Sequence, residues 1–137
     1  MPSTPTQKAA AERAGAKCSA HGHKHDRGNA RDRAARKAKM IALHGNACVY
    51  CAAPIYGDDV EQDRVLGSCL YTLANVLPAC KRCNNARNQN GATLRSVAQD
   101  HARYAAALRI LLTVKCRSAF YPEIREAIET ALLELES

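Results

Sequence analysis

Cys48-x-x-Cys51 and Cys80-x-x-Cys83 are two matched pairs of thiols in a chain of 137 residues. A two-residue spacer lets both sulfurs of a pair reach one ion, and two pairs complete a tetrahedral site. The 28 residues between the pairs exceed the commonest zinc-ribbon spacing, so an inserted hairpin is expected there. A disulfide framework fits poorly, because nothing in the chain suggests secretion. Two redox CxxC pairs in one small unit are equally hard to explain. The pattern predicts one structural Zn²⁺ per chain on Cys48, Cys51, Cys80 and Cys83. Cys18, Cys69 and Cys116 read as buried or incidental thiols.

The stretch 61–84, which runs through the second pair, carries an acid, an arginine, a tyrosine and two asparagines: Asp63, Arg64, Tyr71, Asn75 and Asn84. It contains no histidine. A CxxC pair, an acid followed by a basic residue, an Asn about a dozen positions on and then "CxxCN" together resemble the HNH endonucleases of the ββα-metal class. The matching stretch runs from Cys48 to about Asn90, and "NVLPACKRCN" is its most specific part. The resemblance implies a metal-dependent DNA endonuclease that hydrolyses phosphodiester bonds. Such hydrolysis needs an activated water, a metal to neutralise charge on the phosphoryl group, and residues that fix the geometry. On this resemblance Asp63 and Asn84 hold a catalytic Mg²⁺ or Mn²⁺, while the zinc shapes the site without taking part in chemistry.

The departure falls on the general base, which in the family is a histidine beside the acid. Here Arg64 stands at that place, and arginine cannot accept a proton near neutral pH. A branch of the family with "DR", then "Y" and "N" at this spacing makes Tyr71 the base, Asn75 its orienting partner and Arg64 a phosphate clamp. A free tyrosine titrates near about 10, so a phenolate at neutral pH costs roughly 4 kcal/mol without help. Cations nearby, Arg64 and the metal, lower that cost. His44 is a weaker substitute base. The other reading keeps the fold but not the reaction, as a zinc-stabilised nucleic-acid-binding protein. There Tyr71 is a strand aromatic packing across the hairpin, and Asp63 and Arg64 form a structural ion pair.

The elements that must carry these residues follow from pattern and punctuation. Asn29 caps a helix running to about Leu43, around which Arg31, Arg33, Arg36, Lys37 and Lys39 are distributed. Residues 60–66 and 71–77 read as the two strands of a hairpin turned at Gly67-Ser68-Cys69. A short helix follows Cys80 and closes at Gly91. Leu94, Val97, His101, Tyr104, Leu108, Leu111 and Lys115 recur at helical spacing over 93–115, with His101 read as packing rather than catalytic. Residues 122–136 form a last amphipathic helix with Ile124, Ile128, Leu132 and Leu135 on one side. Its apolar face and that of the helix before it either pack on the core or form a homodimer interface. The expected class is α+β, mainly helical: a ββα-metal core (48–91) between a basic helix and two C-terminal helices. Residues 1–28 are expected to be a flexible basic arm, and 29–137 one domain.

Charge points the same way. Residues 1–47 hold ten Lys/Arg and three Asp/Glu (10 − 3 = +7), whereas residues 48–91 hold four of each and 92–137 six of each. The whole formal charge of +7 therefore lies in the first third, as expected of a nucleic-acid binder. DNA is the expected partner, and the same chemistry would accept RNA. Arg82, Arg87 and Asn88 flank the expected metal site and suit phosphate contacts. His21, His23 and His25 read as a solvated loop rather than a second metal site. No apolar run reaches a membrane-spanning length and no secretory signal is visible, so a cytoplasmic protein is expected. A protein-interaction adaptor would leave the basic arm and the Asp63–Asn75–Asn84 set unexplained.

Overall fold

The computed structural model describes residues 28–67 and 69–136. The basic arm, Cys18 and the His21–His25 cluster lie outside them. Helix α1 (Ala30–His44) begins where two side chains close a capping box: Asp32 N donates to Asn29 Oδ1 at 2.9 Å and Asn29 N to Asp32 Oδ2 at 3.2 Å. It ends at Gly45, whose φ of 87° is open to glycine at little cost. Strand β1 (Glu61–Arg64) pairs antiparallel with β2 (Val76–Ala79), Asp63 opposite Leu77 and Arg64 opposite Val76. Every residue of β2 is buried, so this strand is the floor of the structure. Helices α2 (Lys81–Arg87), α3 (Leu94–Val97), α4 (His101–Leu111) and α5 (Tyr121–Glu136) complete a small, mainly helical α+β arrangement.

One hydrophobic cluster runs from Met40 of α1 through Val49, Val76 and Leu77 to Leu108, Leu111, Ile124 and Ile128. The inner faces of α4 and α5 are thus spent inside the chain, as one of the two expectations for them had it. Arg95 of α3 donates to the carbonyls of Leu135 at 2.8 Å and Glu134 at 3.4 Å, satisfying the free end of α5. Among the described residues no helix is long and apolar enough to cross a membrane.

Two expectations are corrected. The connection between the strands is not a tight turn at 67–69 but the whole stretch 65–75, closed by a 3₁₀ turn at Leu73–Asn75. Tyr71 therefore lies in this connection rather than on a strand. The cause is Asn75, fully buried, whose Oδ1 accepts from Leu66 N at 2.9 Å and whose Nδ2 donates to the carbonyls of Leu66 at 3.2 Å and Leu70 at 2.8 Å. The side chain replaces ladder bonds that a longer hairpin would have made. Similarly, 93–115 is two helices, because Thr93 and Asp100 each cap a new start and Gln99 N is claimed by Tyr50 O at 2.9 Å. The second of them ends at Leu111, leaving Lys115 outside it.

Replacing Asn75 by Ala would orphan the buried Leu66 N and take a donor from the carbonyls of Leu70 and of Leu66, the latter keeping only Cys69 N. We expect this to cost about 3 kcal/mol in urea denaturation; a loss below about 1 kcal/mol would show that the loop holds without it.

Candidate metal centre and active-site cleft

The four cysteines converge, their sulfurs all within 4.8 Å of one another. Among the described residues they are the one group of at least three His, Cys, Asp or Glu side chains close enough to share an ion. The first pair sits on a knuckle: Ala52 N donates to Cys48 O at 2.8 Å and Cys48 N to Ala53 O at 2.9 Å. Ala52 is held at φ 65°, an uncommon conformation for a residue with a Cβ, worth about 1 kcal/mol of strain. The second pair starts α2, with Cys80 as its N-cap and Cys83 N donating to Cys80 Sγ at 3.4 Å. Burial works against ionising Cys51, but the Ala53 N–H and the other thiols outweigh it and bring Cys51 down to about 7. Burial pushes Cys48 and Cys83 up. A cation is what would allow all four to ionise together, and the cluster fits one.

A cavity of about 190 Å³ is lined by Gln62, Asp63, Arg64, Tyr71, Asn84, Arg87 and Asn88, among others. A larger groove of about 410 Å³ is walled by Arg33, Arg36 and Lys37 of α1 and by Glu61 of β1. Gln62, Tyr71 and Asn84 line both, so the two spaces adjoin. The structure thus brings Asp63, Arg64, Tyr71 and Asn84 to one cleft. Asn75 lies beneath, holding the loop that carries Tyr71 rather than the ring itself.

Asp63 accepts a hydrogen bond from the Tyr50 hydroxyl at Oδ2. Burial pushes the Asp63 carboxyl up, against the Tyr50 bond and the Arg87 and Arg64 charges. Tyr50, itself buried and beside Tyr104 and Asp63, is pushed well up and stays a protonated donor. Burial alone would lower Arg87, but Tyr50, Tyr104 and Asp63 around it raise it, so it is a cation throughout. Its Nε is buried with no hydrogen-bond partner. Arg64 donates to Cys69 O at 2.7 Å and lies 4.1 Å over the Tyr71 ring, instead of pairing with Asp63. Arg36 lies 5.2 Å from the same ring, donates to Tyr71 O at 3.2 Å and bonds Gln62 Oε1.

Several expected residues sit elsewhere. Arg82 is exposed beside the cysteine cluster, whose thiols, Cys51 foremost, push its guanidinium up. Arg31 and Lys39 are exposed on α1 and line neither space. His44 lines a separate cavity with Val49, Pro78 and Arg103 and is no substitute base for Asp63. Cys69 is buried and disulfide-bonded, not a free thiol, whereas Cys116 is free and half-buried. Sequence reasoning missed Tyr50 and Gln62; the one visible sign for Tyr50 was a polar-tipped aromatic between two metal-ligand cysteines. No family model, no curated protein and no solved structure matches this chain.

Two outcomes follow from this geometry. Withdrawing the metal with a strong chelator, or Cys83→Ser, should lower Tm by more than about 10 °C; an unmoved melt with metal-free protein would sink the centre. Burial lowers His44 from its ordinary 6.5, and both ring nitrogens lack partners. A depressed pKa means stability present above 6.5 and lost as pH falls below it. His44→Leu should therefore melt at a less pH-dependent temperature between about 6.5 and 5, measured against the parent.

Proposed function

We propose that this chain is a zinc-stabilised, metal-dependent DNA endonuclease of HNH type. The observation that carries the reading is the cleft: a carboxylate, two guanidinium groups, a phenol and a carboxamide converge in one space open to a basic groove. The reading also draws on the order β1, β2, α2, with one thiol pair before β1 and the other at the start of α2. Zn²⁺ on Cys48, Cys51, Cys80 and Cys83 would be structural.

Asp63 offers one carboxylate oxygen not taken by Tyr50, and Asn84 offers a carbonyl; both line a space with room for several waters. These residues fit a hard divalent cation such as Mg²⁺ or Mn²⁺, which when bound would neutralise charge on the phosphoryl and leaving oxygens. Arg87, cationic and lining the cavity, would receive a non-bridging phosphate oxygen. Arg64 would keep the Tyr71 ring in place and add positive charge at the same phosphate. Tyr71 would act as the phenolate, its own proton given up to solvent beforehand and the anion favoured by Arg64 and the bound cation. It would take the proton of the attacking water at that oxygen, and Asn75 would fix the loop that presents it. Arg33, Arg36 and Lys37 would hold the flanking backbone.

The alternative is a non-catalytic nucleic-acid-binding protein, favoured by one fact: the Tyr71 ring packs under Arg64 as an ordinary aromatic would. Supercoiled plasmid separates the two. With Mg²⁺ or Mn²⁺ we expect open-circle or linear product, none in EDTA and none with Asp63→Ala. Tyr71→Phe should slow cleavage by about 100-fold or more. A salt-sensitive gel shift without metal-dependent cleavage, over plasmids of varied sequence, would replace the enzyme by the binding protein.

A further inference from the structure

Tyr50 stands between Cys48 and Cys51, inside the knuckle that builds the thiol centre. Its backbone is fixed from outside, since Tyr50 O accepts from Gln99 N at 2.9 Å and Val49 N donates to Pro78 O at 2.8 Å. Its ring is 1% exposed and lies 5.1 Å from that of Tyr104, tilted by 36°. Packing alone would be served by phenylalanine. The hydroxyl instead reaches Asp63, thirteen residues away, and donates a hydrogen bond to Oδ2.

An aspartate on a strand turns freely about its last torsion, which is broad and two-fold. A buried donor on one oxygen selects one orientation and leaves the other oxygen facing the cavity that Asp63 lines. Partners of this kind around ligating carboxylates typically change metal affinity by about 10- to 100-fold. We propose that Tyr50 is a positioning residue: it orients the Asp63 carboxylate for a divalent cation, and ties that orientation to closure of the four-cysteine centre. The inference rests on the endonuclease reading only in taking the cleft to bind such a cation. Because Tyr50 belongs to the knuckle, the cleft's carboxylate is aimed only while the thiol centre is closed.

The test is Mn²⁺ binding, followed by the loss of the free-ion electron paramagnetic resonance signal, with no nucleic acid present. The full chain, loaded at the thiol centre, is compared with Tyr50→Phe and Asp63→Asn. We expect Tyr50→Phe to bind Mn²⁺ at least about tenfold more weakly, with one cooperative melt retained, and Asp63→Asn to lose the site. Equal binding by Tyr50→Phe and the parent, with loss in Asp63→Asn, overturns the role of Tyr50 and leaves the endonuclease reading standing. Identical binding by the parent and Asp63→Asn overturns both. If Tyr50→Phe does not fold, 3-fluorotyrosine at position 50 keeps ring and hydroxyl. Its fluorine resonance must then broaden with one equivalent of Mn²⁺ in the parent and not in Asp63→Asn; an unmoved resonance overturns the proposal.

Discussion

Four sulfurs held within 4.8 Å of one another impose more on this chain than any apolar contact does. To bring them together the first pair must turn back through Ala52, in a conformation L-residues avoid. The second must open a helix with a cysteine as its cap. Both requirements fix directions as well as places. Asn84 follows Cys80 by one helical turn, with Asn84 N donating to Cys80 O at 2.9 Å, so the helix start decides where Asn84 points. Tyr50, caught between Cys48 and Cys51, is aimed under the sheet by the same constraint. The thiol centre and the cleft share no lining side chain, yet the loops of the first carry Tyr50, which bonds Asp63, and Asn84, which lines the second.

Beneath the cleft lies a set of polar groups that would be costly if taken singly. Tyr50, Asp63, Arg87 and Tyr104 are drawn together where burial disfavours every charge. Together they offset one another: the phenol donates, the carboxylate accepts, and the guanidinium supplies the opposite charge. A low-dielectric surrounding makes each of these interactions stronger and each loss more expensive. Such an arrangement holds the Asp63 carboxylate in one geometry.

Features set by local chemistry were legible from the sequence. The CxxC spacings, the Asn29 cap and the periodicity of Ile124, Ile128 and Leu135 each concern residues within a turn or two. Features set across the fold were not. The loop from 65 to 75 is shaped by Asn75 reaching back to Leu66 and Leu70, a side-chain choice that strand propensity does not register. The break at 98–100 hides because apolar spacing continues through it, while the competing bond comes from Tyr50, far earlier in the chain. His44 looked near the first cysteine pair, but α1 carries it to a separate cavity. In the cleft itself the residue types were visible and their partners were not. Arg64 sits on Tyr71 rather than Asp63, and the donor to Asp63 is a tyrosine with no motif to mark it.

Helix α1 illustrates how a basic stripe divides between two uses. Its charge suggests a uniform surface for phosphates, yet Arg36 spends its bonds on Gln62 and Tyr71 O, and Lys37 donates to Gly57 O at 2.8 Å. Gln62 answers by donating to Arg33 O at 3.0 Å. These bonds lash α1 to β1 and to the loop bearing Tyr71, and so create the groove whose wall they also charge. Arg31 and Lys39, exposed and outside that lattice, are free to contribute long-range attraction alone. Attraction and geometry are therefore separable at the outer residues of α1 and inseparable at Arg36, where one guanidinium supports the loop and borders the groove at once.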